Sequence, residues 1–285
     1  MAADGAPRVL GIVAGGGTLP LKIVAACEAA GRPYAVFAIL GEADQPVRDI
    51  AKAVLPIGAF GKAIELLKTY ACVDVVLAGK VGRPDFSAIK LDWGGVKLVP
   101  KLIAAGRHGD DALLKAVGAA FEAEGLKLLG VDQVADELLA GAGVLGAMPM
   151  SESARADMMK AIAVVAALGP FDVGQGAVVC EGLVLAVEAA EGTDAMLARC
   201  AALPQALRGT AAARRGVLVK MPKPLQEQRI DLPTVGVQTI EGAAEAGLSG
   251  IAFAAKTTLL LDRDAIIARA DALGLFVYGF KKDGV

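Results

Sequence analysis

Val9-Leu10-Gly11-Ile12-Val13-Ala14-Gly15-Gly16-Gly17-Thr18 is a short apolar run that ends in three glycines. A short apolar run closed by a turn signal reads as a strand buried on both faces, and helical spacing follows from residue 19 to about residue 30. Gly31-Arg32-Pro33 then breaks the chain before a second apolar run, residues 34–40. The same alternation continues through strands predicted at 54–57, 73–78 and 126–131. Helices are predicted at 60–70 and from Asp110 or Asp111, as caps, to about 124. Near-continuous apolar strands alternating with helices are the signature of a parallel sheet covered on both faces. The first half is therefore read as α/β.

Near residues 137–146 the texture changes to Ala-Gly-Ala-Gly-Val-Leu-Gly, which marks a domain junction. Beyond it the spacing predicts a helix over 151–168, a hairpin of 176–180 with 183–189, a helix over 193–202 and a strand at 216–221. A helix at 240–246, a strand at 250–254, a helix at 262–273 and a strand at 276–280 complete the pattern. The second half is read as mixed α/β.

With 285 residues and roughly 100–200 per domain, the chain allows one large domain or two ordinary ones. A composition that is 55% hydrophobic and 21% charged, with net charge -2, excludes a disordered chain and argues against nucleic-acid binding, which needs a basic surface. Only 4% of residues are aromatic, too few for base-stacking platforms. The single histidine, His108, rules out a histidine-rich metal centre. Cys27, Cys72, Cys180 and Cys200 are scattered, with no Cys-x-x-Cys pair, and read as reduced, buried thiols of a cytoplasmic protein. If a metal takes part, it is a hard cation on oxygen ligands, magnesium first. The opening Met-Ala-Ala-Asp-Gly-Ala-Pro carries no targeting pattern, and apolar stretches such as 161–168 fall short of the ~20 residues that a membrane helix requires.

Gly15, Gly16, Gly17 and Thr18 lie between a strand and a helix, where backbone N–H groups can meet a phosphate. The alternative is a tight turn with no ligand. Pro20 stands where the dinucleotide fingerprint needs its third glycine, and no lysine follows as in a P-loop. Lys80 and Arg83 follow a strand end and are expected to face the same crevice, unless they are ordinary solvated charges. His108 reads as structural.

The second half carries denser signals. Phe171-Asp172-Val173-Gly174-Gln175-Gly176 is turn-rich before a strand. Glu188, Glu191 and Asp194 crowd together around Thr193, which suits a helix cap; the carboxylates are either magnesium ligands or cap and surface charges. From residue 219 to 236 three prolines and the cations Lys220, Lys223 and Arg229 share one loop with Asp231. Proline fixes φ, so such a loop holds side chains at low entropic cost. Met148, Met150, Met158 and Met159, with Ile162 and Val165, form either a groove for an acyl chain or ordinary core.

At these residues the sequence resembles the LpxI family of UDP-2,3-diacylglucosamine pyrophosphatases. The stretches that carry the resemblance are Ala-Gly-Gly-Gly-Thr-Leu-Pro, Ala-Gly-Lys-Val-Gly-Arg-Pro, Gly-Asp-Asp-Ala-Leu-Leu, Asp-Val-Gly-Gln and Gly-Leu-Ser-Gly-Ile-Ala. The most specific are Leu-Ala-Val-Glu-Ala-Ala-Glu-Gly-Thr-Asp-Ala-Met-Leu and Lys-Pro-Leu-Gln-Glu-Gln-Arg-Ile-Asp-Leu-Pro-Thr-Val-Gly. The sequence departs at Glu227, where the family more often has aspartate.

The resemblance implies a Rossmann-like N-terminal domain over residues 1–138 and a distinctive C-terminal domain over 139–285, with the active site in the cleft between them. It implies magnesium-dependent hydrolysis of UDP-2,3-diacylglucosamine to UMP and 2,3-diacylglucosamine 1-phosphate in lipid A synthesis, with water attacking the sugar-side phosphorus. Asp231 matches the family's essential acid. It is expected to bind Mg2+ or activate water, with Glu191 and Asp194 as helper ligands and Lys220 and Lys223 on the pyrophosphate. Asp172, Gln175, Gly192, Thr193 and Gln226 join Gly15 to Thr18, Lys80 and Arg83 as the substrate-binding set. Peripheral contact with the inner membrane and a homodimer are left open by the sequence. Two rivals stand beside this reading: an NAD-dependent oxidoreductase using Glu42 as ribose acid, and a non-catalytic UDP-sugar or lipid carrier.

Overall fold

The computed structural model describes residues 8–82, 92–224 and 226–281, which divide into two units. Unit one holds the described residues up to Asp136 together with Arg229–Asp231; unit two holds Glu137–Gln228 and the chain from Leu232 onward.

In unit one the order is β1 (Val9–Ala14), α1 (Leu19–Ala29), β2 (Tyr34–Ile39), α2 (Gln45–Ile50), β3 (Ala53–Leu55), α3 (Phe60–Thr69), β4 (Cys72–Ala78), α4 (Trp93–Gly106), α5 (Asp110–Ala123) and β5 (Lys127–Leu128). Every strand pair is parallel, in the order β3-β2-β1-β4-β5. That is the parallel sheet that the alternating pattern predicts. Phe37, Leu67, Val75, Phe121 and Leu128 are buried in its core, each large side chain contributing about 1.5–3 kcal/mol. Phe60 and Phe121 meet edge to face with ring centroids 5.1 Å apart.

Two elements, α2 and α4, go beyond the sequence reading, and the strand expected over 126–131 shrinks to Lys127–Leu128. Asp110 and Asp111 are not caps: Gly109 occupies the cap position at φ 119°, and the aspartates sit in the first turn of α5. There they still complement the helix dipole, and Asp111 pairs with Lys115 at 2.7 Å. The His108 ring lies 2.9 Å from the Ala104 carbonyl, a local contact at the end of α4.

Unit two runs β6 (Gly143–Val144), α6 (Glu152–Leu168), β7 (Gly176–Cys180), β8 (Leu183–Val187), α7 (Gly192–Ala201), β9 (Val217–Lys220), β10 (Thr234–Val235), α8 (Val237–Glu245), β11 (Gly250–Ala254), β12 (Leu259–Leu260), α9 (Arg263–Leu273) and β13 (Phe276–Phe280). Its main sheet has the order β6-β13-β11-β9-β7-β8, parallel from β13 through β9 and antiparallel at both margins. A separate parallel pair joins β10 to β12.

Strand residues alternate between faces, so one sheet serves two cores. Ala177, Val179, Val217 and Val219 pack with Ala154, Met158, Ile162 and Val165 of α6. The alternate positions Val178, Leu218, Ile251 and Phe253 pack with Met196, Leu197, Ile240 and Ile266 of α7, α8 and α9. The methionine stripe is thereby resolved. Met158 belongs to the core and Met150 packs against it, while Met148 and Met159 are exposed. Among the described residues no helix is long and apolar enough to cross a membrane.

Candidate active site

Lys220 ends β9 and shares its face of the sheet with Leu218, so its chain turns toward α7 instead of solvent. Only 5% of it is exposed. A buried ammonium needs oxygen partners, because burial without them carries a heavy desolvation cost. Its Nζ donates to Thr193 Oγ1 at 2.6 Å and to the Thr234 carbonyl at 3.2 Å. The Thr193 hydroxyl in turn donates to Glu188 Oε1 at 2.9 Å. Glu188 Oε2 lies 4.0 Å from the lysine nitrogen and is buried with no hydrogen-bond partner.

The glycines of the Asp-Val-Gly-Gln-Gly stretch make room for this carboxylate. Gly176 pairs directly across from Lys220, and a Cβ there would stand 2.7 Å from Glu188 Oε2. At Gly174, held at φ +43°, a Cβ would collide with the Glu188 carbonyl at 1.9 Å. Sequence reasoning named Lys220 and Thr193 as site residues but left Glu188 as either a magnesium ligand or a cap or surface charge. The signal that could have raised it is Gly174 and Gly176, just before and at the start of the facing strand β7. Thr193 is not the α7 cap either: Glu191 takes that position, leaving the threonine hydroxyl to Glu188 and Lys220.

The loop beyond β9 holds a second buried cation. Lys223 Nζ pairs with Asp172 Oδ1, and Asp172 adopts a left-handed conformation at φ +57° that directs the loop. Gln226 is buried and its Oε1 accepts from the Lys223 backbone N–H at 2.8 Å, while the Gln175 carbonyl accepts from Met221 N at 2.9 Å. Lys220, Lys223, Asp172, Gln175, Gln226, Gly192 and Thr193 thus all belong to unit two. Gly192 opens α7 at φ +79°, a conformation that explains its glycine by itself.

The glycine turn of unit one is built differently from a phosphate cradle. Gly15 N donates to the Ala78 carbonyl, Gly16 N to the Lys80 carbonyl, each at 2.8 Å, and Gly17 N to Asp44 Oδ2 at 2.6 Å. Lys80 N returns a bond to Gly16 O, so the two loops bridge where the strand order reverses between β1 and β4. A Cβ at Gly15 would sit 2.3 Å from Lys80 O and one at Gly79 2.6 Å from Gly16 O. Close backbone crossing therefore accounts for these glycines. The amides of Gly15, Gly16 and Gly17 already have protein acceptors, one of them a carboxylate that would repel phosphate. Thr18 occupies the α1 cap position without a side-chain cap bond. Glu42 Oε2 accepts from Gly82 N at 3.0 Å, and Arg83 lies outside the described residues.

The three expected metal ligands behave separately. Glu191 binds Arg199 at 2.5 Å; its own backbone N–H and that guanidinium hold the carboxyl below the ordinary glutamate range. Asp194 is exposed in the first turn of α7. Asp231 belongs to unit one, where Arg229 pairs with Glu122 of α5 at 2.7 Å and Ile230 packs against the core. Among the described residues no group of three or more His, Cys, Asp or Glu side chains forms a metal-holding cluster. A preassembled carboxylate cage does not fit these residues. An ion that keeps most of its water and takes one protein carboxylate does, provided the substrate supplies the remaining oxygens.

Comparison with known families and proteins gives two results. The family model for the LpxI N-terminal domain matches residues 9–138, and that for the LpxI C-terminal domain matches residues 141–278. A protein of Caulobacter vibrioides, "UDP-2,3-diacylglucosamine pyrophosphatase LpxI", is 52% identical over 272 residues, covering 95% of this chain and 97% of that protein.

Proposed function

The chain belongs to the LpxI family, and from that premise we propose that it hydrolyses the pyrophosphate bond of UDP-2,3-diacylglucosamine, releasing UMP and 2,3-diacylglucosamine 1-phosphate. The observation that carries the reading in the structure is the pair of buried lysines, Lys220 and Lys223, at the carboxyl end of β9 and in the loop beyond it. An ammonium carries three donors, and positive groups held in place by the carboxylates of Asp172 and Glu188 are preorganised to stabilise the charge of a pyrophosphate. Displacement at phosphorus asks for positioning and charge neutralisation more than for special nucleophiles, so a protein with one histidine is equipped for it.

Each side chain takes a role under this reading. Lys220 and Lys223 face the bridging and terminal phosphate oxygens. Asp231 activates the attacking water or holds Mg2+, which supplies charge neutralisation at the phosphates when bound. Water adds to the sugar-side phosphorus, the bond from that phosphorus to the bridging oxygen breaks, and UMP leaves with the bridging oxygen. Under this reading the protein works in the cytoplasm, in transient contact with the inner membrane that carries its lipidic substrate.

Turnover of UDP-2,3-diacylglucosamine in 18O-water, with mass analysis of both products, tests the whole reading. The heavy atom is expected in the lipid 1-phosphate. Its appearance in UMP would reverse the attacked phosphorus. Tight binding without any product would make the protein a carrier and end the hydrolytic assignment.

A further inference from the structure

Glu188 is a carboxylate that the reaction outlined above does not use, yet the sheet is shaped around it. It is 9% exposed, it follows β8 directly, and Gly174 and Gly176 lack the side chains that would strike it. One oxygen, Oε1, takes the Thr193 hydroxyl proton at 2.9 Å. A hydroxyl has a single proton, so once that proton is committed to Glu188 the threonine oxygen can only accept toward Lys220, as it does at 2.6 Å. The other oxygen, Oε2, has no hydrogen-bond partner and stays 4.0 Å from Lys220 Nζ. It balances the buried charge without capturing the ammonium's direction, which Thr193 and the Thr234 carbonyl help to set.

We infer that Glu188 is a positioning residue acting through Thr193: it fixes the hydroxyl as an acceptor and so holds the Lys220 ammonium in one orientation. The functional consequence rests on the reading of Lys220 as a pyrophosphate-facing group. The positioning itself does not. Thr193, expected from the sequence to contact substrate, becomes in this account the link between Glu188 and Lys220.

Two measurements separate these levels. In protein labelled with 15N-lysine, the Lys220 NH3+ resonance, assigned by its loss in K220M, should exchange slowly in the wild type. It should broaden or vanish in E188L and T193V and persist in T193S. G176A, whose methyl would displace Glu188 Oε2, should weaken it too. Thermal melts of each variant identify any that fail to fold, and T193V carries the test if E188L is one of them; E188Q, which keeps an acceptor for Thr193, should retain the resonance.

In hydrolysis of UDP-2,3-diacylglucosamine, E188L should lower kcat about tenfold or more in the wild-type background and have no further effect in K220M, since residues of one network do not act additively. A folded E188L, or T193V in its place, that leaves the resonance sharp overturns the inference. So does an equal cost in both backgrounds. A wild type that shows the slow resonance but no turnover would refute the hydrolytic reading and leave the positioning intact.

Discussion

Lys223 and Asp172 illustrate how much of the site depends on single side chains that sequence can name but not place. The residue pair is separated by most of unit two's antiparallel margin in sequence, and the ion pair forms because Asp172 accepts a left-handed backbone that few non-glycine residues adopt. Asp231 is the residue with the most weight in the proposed chemistry. D231A should abolish turnover of the UDP-lipid, by about a thousandfold or more, while leaving its binding within a few-fold of wild type, because a group acting on developing charge contributes to the transition state and little to the ground state. Steady-state rates together with an equilibrium binding titration decide this, and near-normal turnover would remove Asp231 from its role. The proline-bounded loop made Lys220, Lys223 and Asp231 legible in the sequence, since fixed φ angles and clustered charge signal an ordered segment. Glu188 was not legible in the same way. Its charge, close in sequence to Glu191 and Asp194, is equally that of a surface or a metal-binding group, and only the glycines that pack against it reveal burial. The opposite case is Gly15 and Gly16, where glycines that permit close backbone approach imitate glycines that cradle phosphate, while Gly17 is set by its positive φ.

Among the elements, α4 was missed because Gly94, Gly95 and Pro100 within it carry the marks of a loop. The structure shows why a helix forms regardless. Asp92 accepts from Gly95 N at 2.7 Å in α4 and from Lys62 N at 2.8 Å and Gly61 N at 3.2 Å in α3, so one carboxylate caps two helices. Gly61 and Gly94 let the helix starts approach, since a Cβ at Gly94 would stand 2.5 Å from Gly61 Cα. Burial opposes ionisation of Asp92, but the amides of Gly95, Lys62, Gly61 and Gly94 together bring its carboxyl below the ordinary aspartate range. A folded-state value lowered in this way stabilises the protein above the unfolded value of about 3.9 and loses that contribution as pH falls through the folded value. D92A should therefore lower stability near neutral pH by about 1–2 kcal/mol, in line with a lost helix cap. D92N should flatten the decline in stability between about pH 4 and pH 2. Denaturant unfolding curves across that range check both, and an unchanged acid slope in D92N would exclude Asp92 as its source. The regular strands were easier to read, as the runs at β1, β11 and β13 show. Each is a closed apolar stretch that needs no partner to identify it. The two-residue strands β6, β10 and β12 have no such pattern and exist only through tertiary pairing.

At the scale of the whole molecule, the two sheets could be anticipated because apolar composition and alternation act over long stretches, whereas metal binding depends on a few oxygens whose meeting no periodicity encodes. The crowding of Glu188, Glu191 and Asp194 in sequence left open whether they are magnesium ligands or cap and surface charges. The fold sends these three carboxylates to different tasks: Glu188 to Thr193, Glu191 to Arg199, and Asp194 to the exposed first turn of a helix. With no cluster of three or more ligand side chains among the described residues, the free protein has little to replace the water that magnesium gives up reluctantly. Magnesium should therefore bind the free protein only at about millimolar concentrations or above, and at least about tenfold more tightly once UDP-2,3-diacylglucosamine or UMP contributes phosphate oxygens. Calorimetric titration of the wild-type protein with Mg2+, in the absence and presence of UMP, measures the difference, and D231A should reduce the nucleotide-dependent part. Chelation should stop turnover and added magnesium restore it. Micromolar binding to the nucleotide-free protein would reveal a preformed ligand cage and defeat the account, because a single carboxylate in a chain organised this way cannot by itself dehydrate so hard an ion.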